Sequence, residues 1–169
     1  DRRDPKLHQG VHMTTAATGP VLIAFDGSPD SRAAIDYAGS LFPGRKAVVL
    51  SVWEPLLLQS SVLAASGMVV DPETISQDDN EEEAATQTLA REGAELARKA
   101  GLDPEPRWQR GTGAIWLTIV DVATELDAAL IVTGSRGLGA VKSFLVGSVS
   151  DRVMHQARRP VLIVPHSST

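Results

Sequence analysis

Three glycines and two serines near the C-terminal end form the pattern in this chain best suited to chemistry: Gly134-Ser135-Arg136-Gly137, nine further residues, then Gly147-Ser148. The stretch runs from an apolar, strand-like segment to a helical one. Glycines let a backbone approach an anion closely, and a helix starting just past Gly147 offers unpaired N–H groups and the positive end of its dipole. That layout suits a phosphate. Arg136 and Lys142 are cations available to phosphate or to solvent. Ser148-Val149-Ser150-Asp151 also resembles a capping box, a serine followed three residues later by an acid, so the same turn can cap its helix and turn the N–H groups of Ser148 and Val149 toward the same oxygens.

Other chemistries find little support. Gly139-Ala-Val-Lys142-Ser143 is a poor P-loop, because Val141 stands where the glycine before lysine belongs. Gly134-x-x-Gly137-x-Gly139 does not read G-x-G-x-x-G and follows a late strand, so a dinucleotide fingerprint is not supported. The sequence offers no metal set, no triad and no nucleophile elbow. His155 reads as a surface or capping histidine, and Trp53, Trp108 and Trp116 read as packing residues, with Trp53 near enough to the second strand's end to border a ligand.

Those residues need a scaffold. Val21-Leu-Ile-Ala-Phe25, Ala47 to Trp53, Ala129 to Thr133 and Val161 to Val164 are short, β-branched and almost continuously apolar, the signature of strands covered on both faces. Arg107 to Arg110 is a more polar fifth strand, placed at an edge. Between them lie four helical patterns. The first is capped by Ser28, with Pro29 in its first position, and runs to about Phe42. The second spans Asp79 to Ala100, with Ala85, Leu89, Gly93, Leu96 and Ala100 on its apolar stripe and its acidic opening, Asp78 to Glu83, matched to the dipole. The third spans Ala114 to Leu126, and the fourth follows Gly147. The reading is an α/β fold, an open five-stranded parallel sheet of order 3-2-1-4-5 with helices on both faces. Ligands in such sheets sit beyond the strand C-termini where chain order reverses, which sets Asp26-Gly27-Ser28 opposite the Gly134 loop. Asp26 there either accepts a hydrogen bond from an adenine amino group or ribose hydroxyl, or closes the strand-to-helix turn.

The chain has 169 residues, 43% of them hydrophobic and 22% charged, which fits one ordinary globular domain. It has no cysteine, which removes thiolate chemistry and fits a reducing compartment. A formal charge of −5 argues against nucleic acid as a main partner. Residues 1–12 read as an expression tag ahead of a single domain at 13–169. No apolar run reaches membrane-spanning length, and Leu56 to Val70, the nearest, is interrupted by polar residues. That run belongs to a long connection, 54–77, read as a lid or a short helix packed on its own domain.

From Pro20 to Pro165 the chain resembles the universal stress protein family in its nucleotide-binding subclass, with an adenine nucleotide alpha hydrolase-like fold. The resemblance rests on Val-Leu-Ile-Ala-Phe-Asp26-Gly-Ser28, on Ser51-Val52, and on the complete G-x2-G-x9-G-[ST] motif. It implies that Ala24 and Asp26 contact a nucleoside and that Val52 pairs with adenine through its backbone. It also implies that Gly134, Ser135, Arg136 and Gly137 line ribose and phosphates, with Gly147, Ser148 and Val149 completing the cradle. The implied cofactor is ATP, with ADP or AMP as alternatives and Mg2+ carried by the nucleotide. The implied assembly is a cytoplasmic homodimer paired through Val161 to Val164 and open to a regulatory protein partner. Ser51 stands where many members carry histidine. The function expected is an ATP-binding regulator of the stress response. Two alternatives stand beside it: a slow metal-dependent ATP hydrolase or phosphotransferase using Ser148 or Asp26, and a nucleotide-independent scaffold using the 56–70 loop.

Overall fold

The computed structural model describes residues 18–54, 72–137 and 146–165, with side chains of the long helix described from Asp79 onward. In chain order the elements are β1 (Val21–Ala24), α1 (Pro29–Leu41), β2 (Lys46–Trp53), α2 (Pro72–Lys99), β3 (Asp103–Arg110), α3 (Ile115–Glu125), β4 (Leu130–Gly134), α4 (Ser148–Gln156) and β5 (Val161–Val164). The strands form one sheet, β3-β2-β1-β4-β5, and every pairing is parallel. This is the expected doubly covered α/β sheet.

Two apolar layers flank it. Val21 and Ile23 point to one face, where they meet Ala34, Ile35 and Ala38 of α1 and Ala94 and Ala97 of α2. Leu22, Val48, Leu50 and Ile131 point to the other, against Ile119, Val122 and Ala123 of α3 and Val153 of α4. Consecutive residues of one strand thus serve opposite layers, which is why the strands read as unbroken apolar runs. The α2 backbone lies so close to the sheet that a Cβ at Gly93 would stand 2.6 Å from the Phe25 ring and 2.8 Å from Val49.

α2 corrects three expectations. It begins at Pro72, inside the span 54–77 read as a connection, so the acidic run 78–83 lies within the helix and not at its start. Ala85 is exposed while Thr86, Ala90, Gly93, Ala94 and Ala97 are buried, so the inward stripe is displaced by one residue from the expected one at its N-terminal end. The segment Leu56 to Val70 lies outside the described residues.

β3 is longer than its expected core of 107–110, and it contains Pro104 and Pro106. Asp103 N–H donates to Arg45 O and Gly111 N–H donates to Trp53 O, so odd-numbered residues face β2. The even-numbered prolines therefore turn their missing donors to the open edge, where a sheet tolerates them and where they block further pairing. The opposite edge is different. Pro160 O and Val164 O accept from Ile131 of β4 and from Ser135 just past its end, so by alternation Val161 and Ile163 turn their N–H and C=O groups outward, with no proline between them.

Candidate functional site

β1 and β4 are neighbours whose connections leave to opposite sides, and a cavity of about 510 Å3 opens beyond their C-terminal ends. Its apolar part is built by the C-terminal halves of strands and by two helices: Ala24 of β1, Leu50 and Val52 of β2, Leu89 from the middle of α2, and Ile115 and Ile119 from the first turns of α3. Its polar part is built by Asp26, Gly134, Arg136, Gly137, Gly147, Ser148 and Val149. The volume is that of a small-molecule or cofactor site, and an apolar slot with polar groups at one end suits a flat ring carrying an anionic tail.

Each wall has a local cause. Ser28 Oγ accepts from Ser31 N–H (3.2 Å), starting α1, and Asp26 Oδ1 accepts from Ser28 N–H (3.0 Å). Gly27 between them takes φ +77°, a left-handed turn that glycine makes without strain. Asp26 thus closes the strand-to-helix turn and also borders the cavity. Ser51 is buried and donates its hydroxyl to Phe25 O (2.8 Å), tying the ends of β1 and β2 together beneath Val52.

The loop after β4 is held from several sides. Ser135 N–H donates to Val164 O (2.8 Å) and Gly147 N–H to Ser135 O (2.6 Å). The Ser150 hydroxyl donates to Gly134 O (2.7 Å) and accepts from the Thr133 hydroxyl (3.1 Å). Asp30 contributes most. Its Oδ2 accepts from Ser135 Oγ (2.6 Å), Arg136 N–H (3.0 Å) and Arg136 Nε (3.3 Å), all from one carboxylate that is 5% exposed. Burial alone would raise the Asp30 pKa, but the Ser135 and Arg136 hydrogen bonds and the guanidinium charge outweigh it and hold the carboxyl below its ordinary value.

Three of the amides expected to serve an anion are therefore engaged internally, those of Ser135, Arg136 and Gly147. The N–H groups of Gly137, Ser148 and Val149 have no partner among the described residues, and the last two open the first turn of α4. Gly147 is the N-cap and Ser148 the first helical residue, with no side-chain cap bond, so the capping-box reading of Ser148 to Asp151 is corrected. The glycines have distinct reasons. A Cβ on Gly134 would stand 2.7 Å from the Asp30 carbonyl carbon, and one on Gly137 would meet Asp26 Oδ2 at 2.7 Å.

A model of the universal stress protein family matches residues 18–165. The chain belongs to the universal stress protein family. Universal stress protein YxiE of Bacillus subtilis (strain 168) is 33% identical over 147 residues, covering 85% of this chain and 97% of that protein. Among solved structures, the hypothetical protein MJ0577 superposes with a TM-score of 0.72 at 18% identity, covering 90% of this chain and 99% of that one, a likeness of fold. A universal stress protein solved in complex with cAMP superposes with a TM-score of 0.59 at 27% identity, covering 89% and 99%.

Of the ten residues expected at the site, this universal stress protein brings nine to the cavity: Ala24, Asp26, Val52, Gly134, Arg136, Gly137, Gly147, Ser148 and Val149. Ser135 is the exception. It is buried beneath the loop with its hydroxyl on Asp30, because the chain leaves the strand alternation just past the end of β4 and is held there by the start of α1. Trp53 is also placed elsewhere, on a smaller cavity of about 230 Å3 beside Arg110, which pairs with Asp79 at 3.0 Å. Lys142 lies outside the described residues. His155 is exposed, 3.9 Å from Asp151. Sequence reading missed Asp30 and the apolar wall of Leu50, Leu89, Ile115 and Ile119. The wall was findable in part, since Leu50 lies in the C-terminal half of β2 and Ile115 begins a helix on the ligand side of the sheet. Among the described residues no three His, Cys, Asp or Glu side chains gather in a metal-binding group, and no helix is long and apolar enough to cross a membrane.

Proposed function

We propose that the cleft binds an adenine nucleotide and that the protein is an ATP-binding regulator of the stress response, with ADP and AMP as occupants of the same place. The observation that carries this reading is the union of an apolar slot with the N-terminal turn of α4, whose Ser148 and Val149 amides face the same cavity as Gly137. The related universal stress protein bound to cAMP supports it. In this reading Ala24, Asp26 and the Val52 backbone hold the nucleoside. Gly134 lines the cavity while letting β4 approach α1, Gly137 gives the ribose and phosphates room, and the Gly147-Ser148-Val149 turn receives phosphate oxygens through N–H groups and the helix dipole. Ser135 acts from beneath, and the Arg136 backbone frames the loop. Mg2+ accompanies the phosphates and supplies charge neutralisation there.

The working unit we propose is a cytoplasmic homodimer paired along β5. Its support is the contrast between the two sheet edges, one closed by Pro104 and Pro106 and the other open at Val161 and Ile163. A regulatory protein that reads the nucleotide state completes the proposal.

Titration calorimetry tests it. ATP binds the unaltered protein, and the Gly137→Ala, Gly147→Ala double variant loses about tenfold or more in affinity while remaining folded. Equal binding by both proteins, or none by either, refutes the site.

A further inference from the structure

The charges at the cleft are poorly matched to a polyphosphate. Among the described residues that border the cavity, Asp26 and Arg136 alone are charged. The Arg136 guanidinium is tethered on one side, because its Nε donates to Asp30 Oδ2 (3.3 Å), the oxygen that also takes the Arg136 N–H and the Ser135 hydroxyl. Asp30 is buried at the start of α1, so little water screens its charge from the guanidinium. The backbone bond and the side-chain bond come from the same residue. The loop is thereby positioned, and the guanidinium is drawn toward α1 by the same carboxylate.

We propose that Asp30 is a specificity-determining residue which, by holding the Arg136 guanidinium against the start of α1, withholds a cation from the phosphate end of the cleft. The inference rests on the nucleotide reading above. Among the described residues, discrimination then falls to the fit of base and sugar and to neutral N–H donors, and Arg136 adds little to the affinity for an extra phosphate. Replacing Asp30 by Asn keeps an oxygen that can accept from Ser135 and the Arg136 amide while removing the charge that retains the guanidinium. A cation released to an exposed phosphate is worth about two- to fivefold in affinity.

The test compares AMP and ATP affinities in metal-free buffer for the unaltered protein, Asp30→Asn, Arg136→Gln and the double variant. The proposal expects Asp30→Asn to raise the ATP preference about two- to fivefold. It expects Arg136→Gln to shift both nucleotides together and the double variant to lose the gained preference. The proposal is overturned if Asp30→Asn leaves the preference unchanged or weakens both nucleotides equally. It is overturned as well if Arg136→Gln in the native background lowers the ATP preference by threefold or more, since the guanidinium would then already reach the phosphates. Arg136 is partly exposed, so that arm stands even where Asp30→Asn fails to fold. No binding of either nucleotide to the unaltered protein overturns the nucleotide reading and this proposal together, whereas the other adverse results overturn the proposal alone.

Discussion

Gly134→Ala separates a glycine needed for packing from one needed for a ligand. The added methyl would lie 2.7 Å from the Asp30 carbonyl carbon, 2.8 Å from Asp30 Cβ and 2.8 Å from Ser31 N, so it meets the backbone start of α1 and not the tip of a flexible side chain. Relief requires the end of β4 and the start of α1 to part. That motion also strains the bonds from Ser135 and Arg136 to Asp30. Overpacking of this kind costs about 1–3 kcal/mol, and the weakened charge-assisted bonds put this site near the upper end, about 3 kcal/mol. For a domain of this size that lowers Tm by about 6–12 °C. Calorimetric melting, with guanidinium denaturation as a second measure, reads the loss. Gly137→Ala is the internal comparison, because its methyl meets only the carboxylate tip of Asp26 at 2.7 Å, which can rotate. Its stability change stays within about 1 kcal/mol. A Gly134→Ala protein melting within about 2 °C of the unaltered one would refute the claim that strand and helix backbones touch there.

Gly137→Ala, nearly neutral for stability, lowers ATP affinity about tenfold by pressing its methyl on the Asp26 carboxylate that holds the nucleoside in this account; unchanged affinity by calorimetry contradicts this. Asp30 gives a pH signature. Its folded pKa lies below the ordinary 3.8, so the unfolded chain takes the proton first, and the stabilisation is complete above about pH 3.8 and is lost as pH falls below it. The denaturation midpoint of the unaltered protein therefore falls toward that of Asp30→Asn as pH drops below about 3.8, and a constant gap would show that the carboxylate is not the group responsible. Ile163→Lys places a charge on the open edge of β5 and yields monomers by light scattering, and a persistent dimer would locate the interface elsewhere.

The sheet was legible in the sequence because strands buried on both faces leave continuous apolar runs, and Val21 to Ala24, Leu130 to Gly134 and Val161 to Val164 are such runs. β3 was half hidden. Pro104 and Pro106 argue against a strand until the register shows both facing the free edge. The start of α2 gave no signal because its first turns are too polar for periodicity to detect. At the site the glycine spacing announced an anion loop, yet the direction of each amide depends on contacts more than a hundred residues apart in the chain, such as Ser135 to Asp30. Asp30 itself reads as an ordinary acid at a helix start. Only the meeting of α1 with β4 gives it a second task.

The central claim is that the amides of Gly137, Ser148 and Val149, which have no partner among the described residues, receive phosphate oxygens. Titrating isotopically labelled protein with ATP and following backbone amide resonances tests it directly. The account predicts the largest shifts at those three amides, with smaller changes at Ser135, Arg136 and Gly147, whose N–H groups are already bonded within the protein. Saturating ATP that leaves Gly137, Ser148 and Val149 unmoved would contradict it.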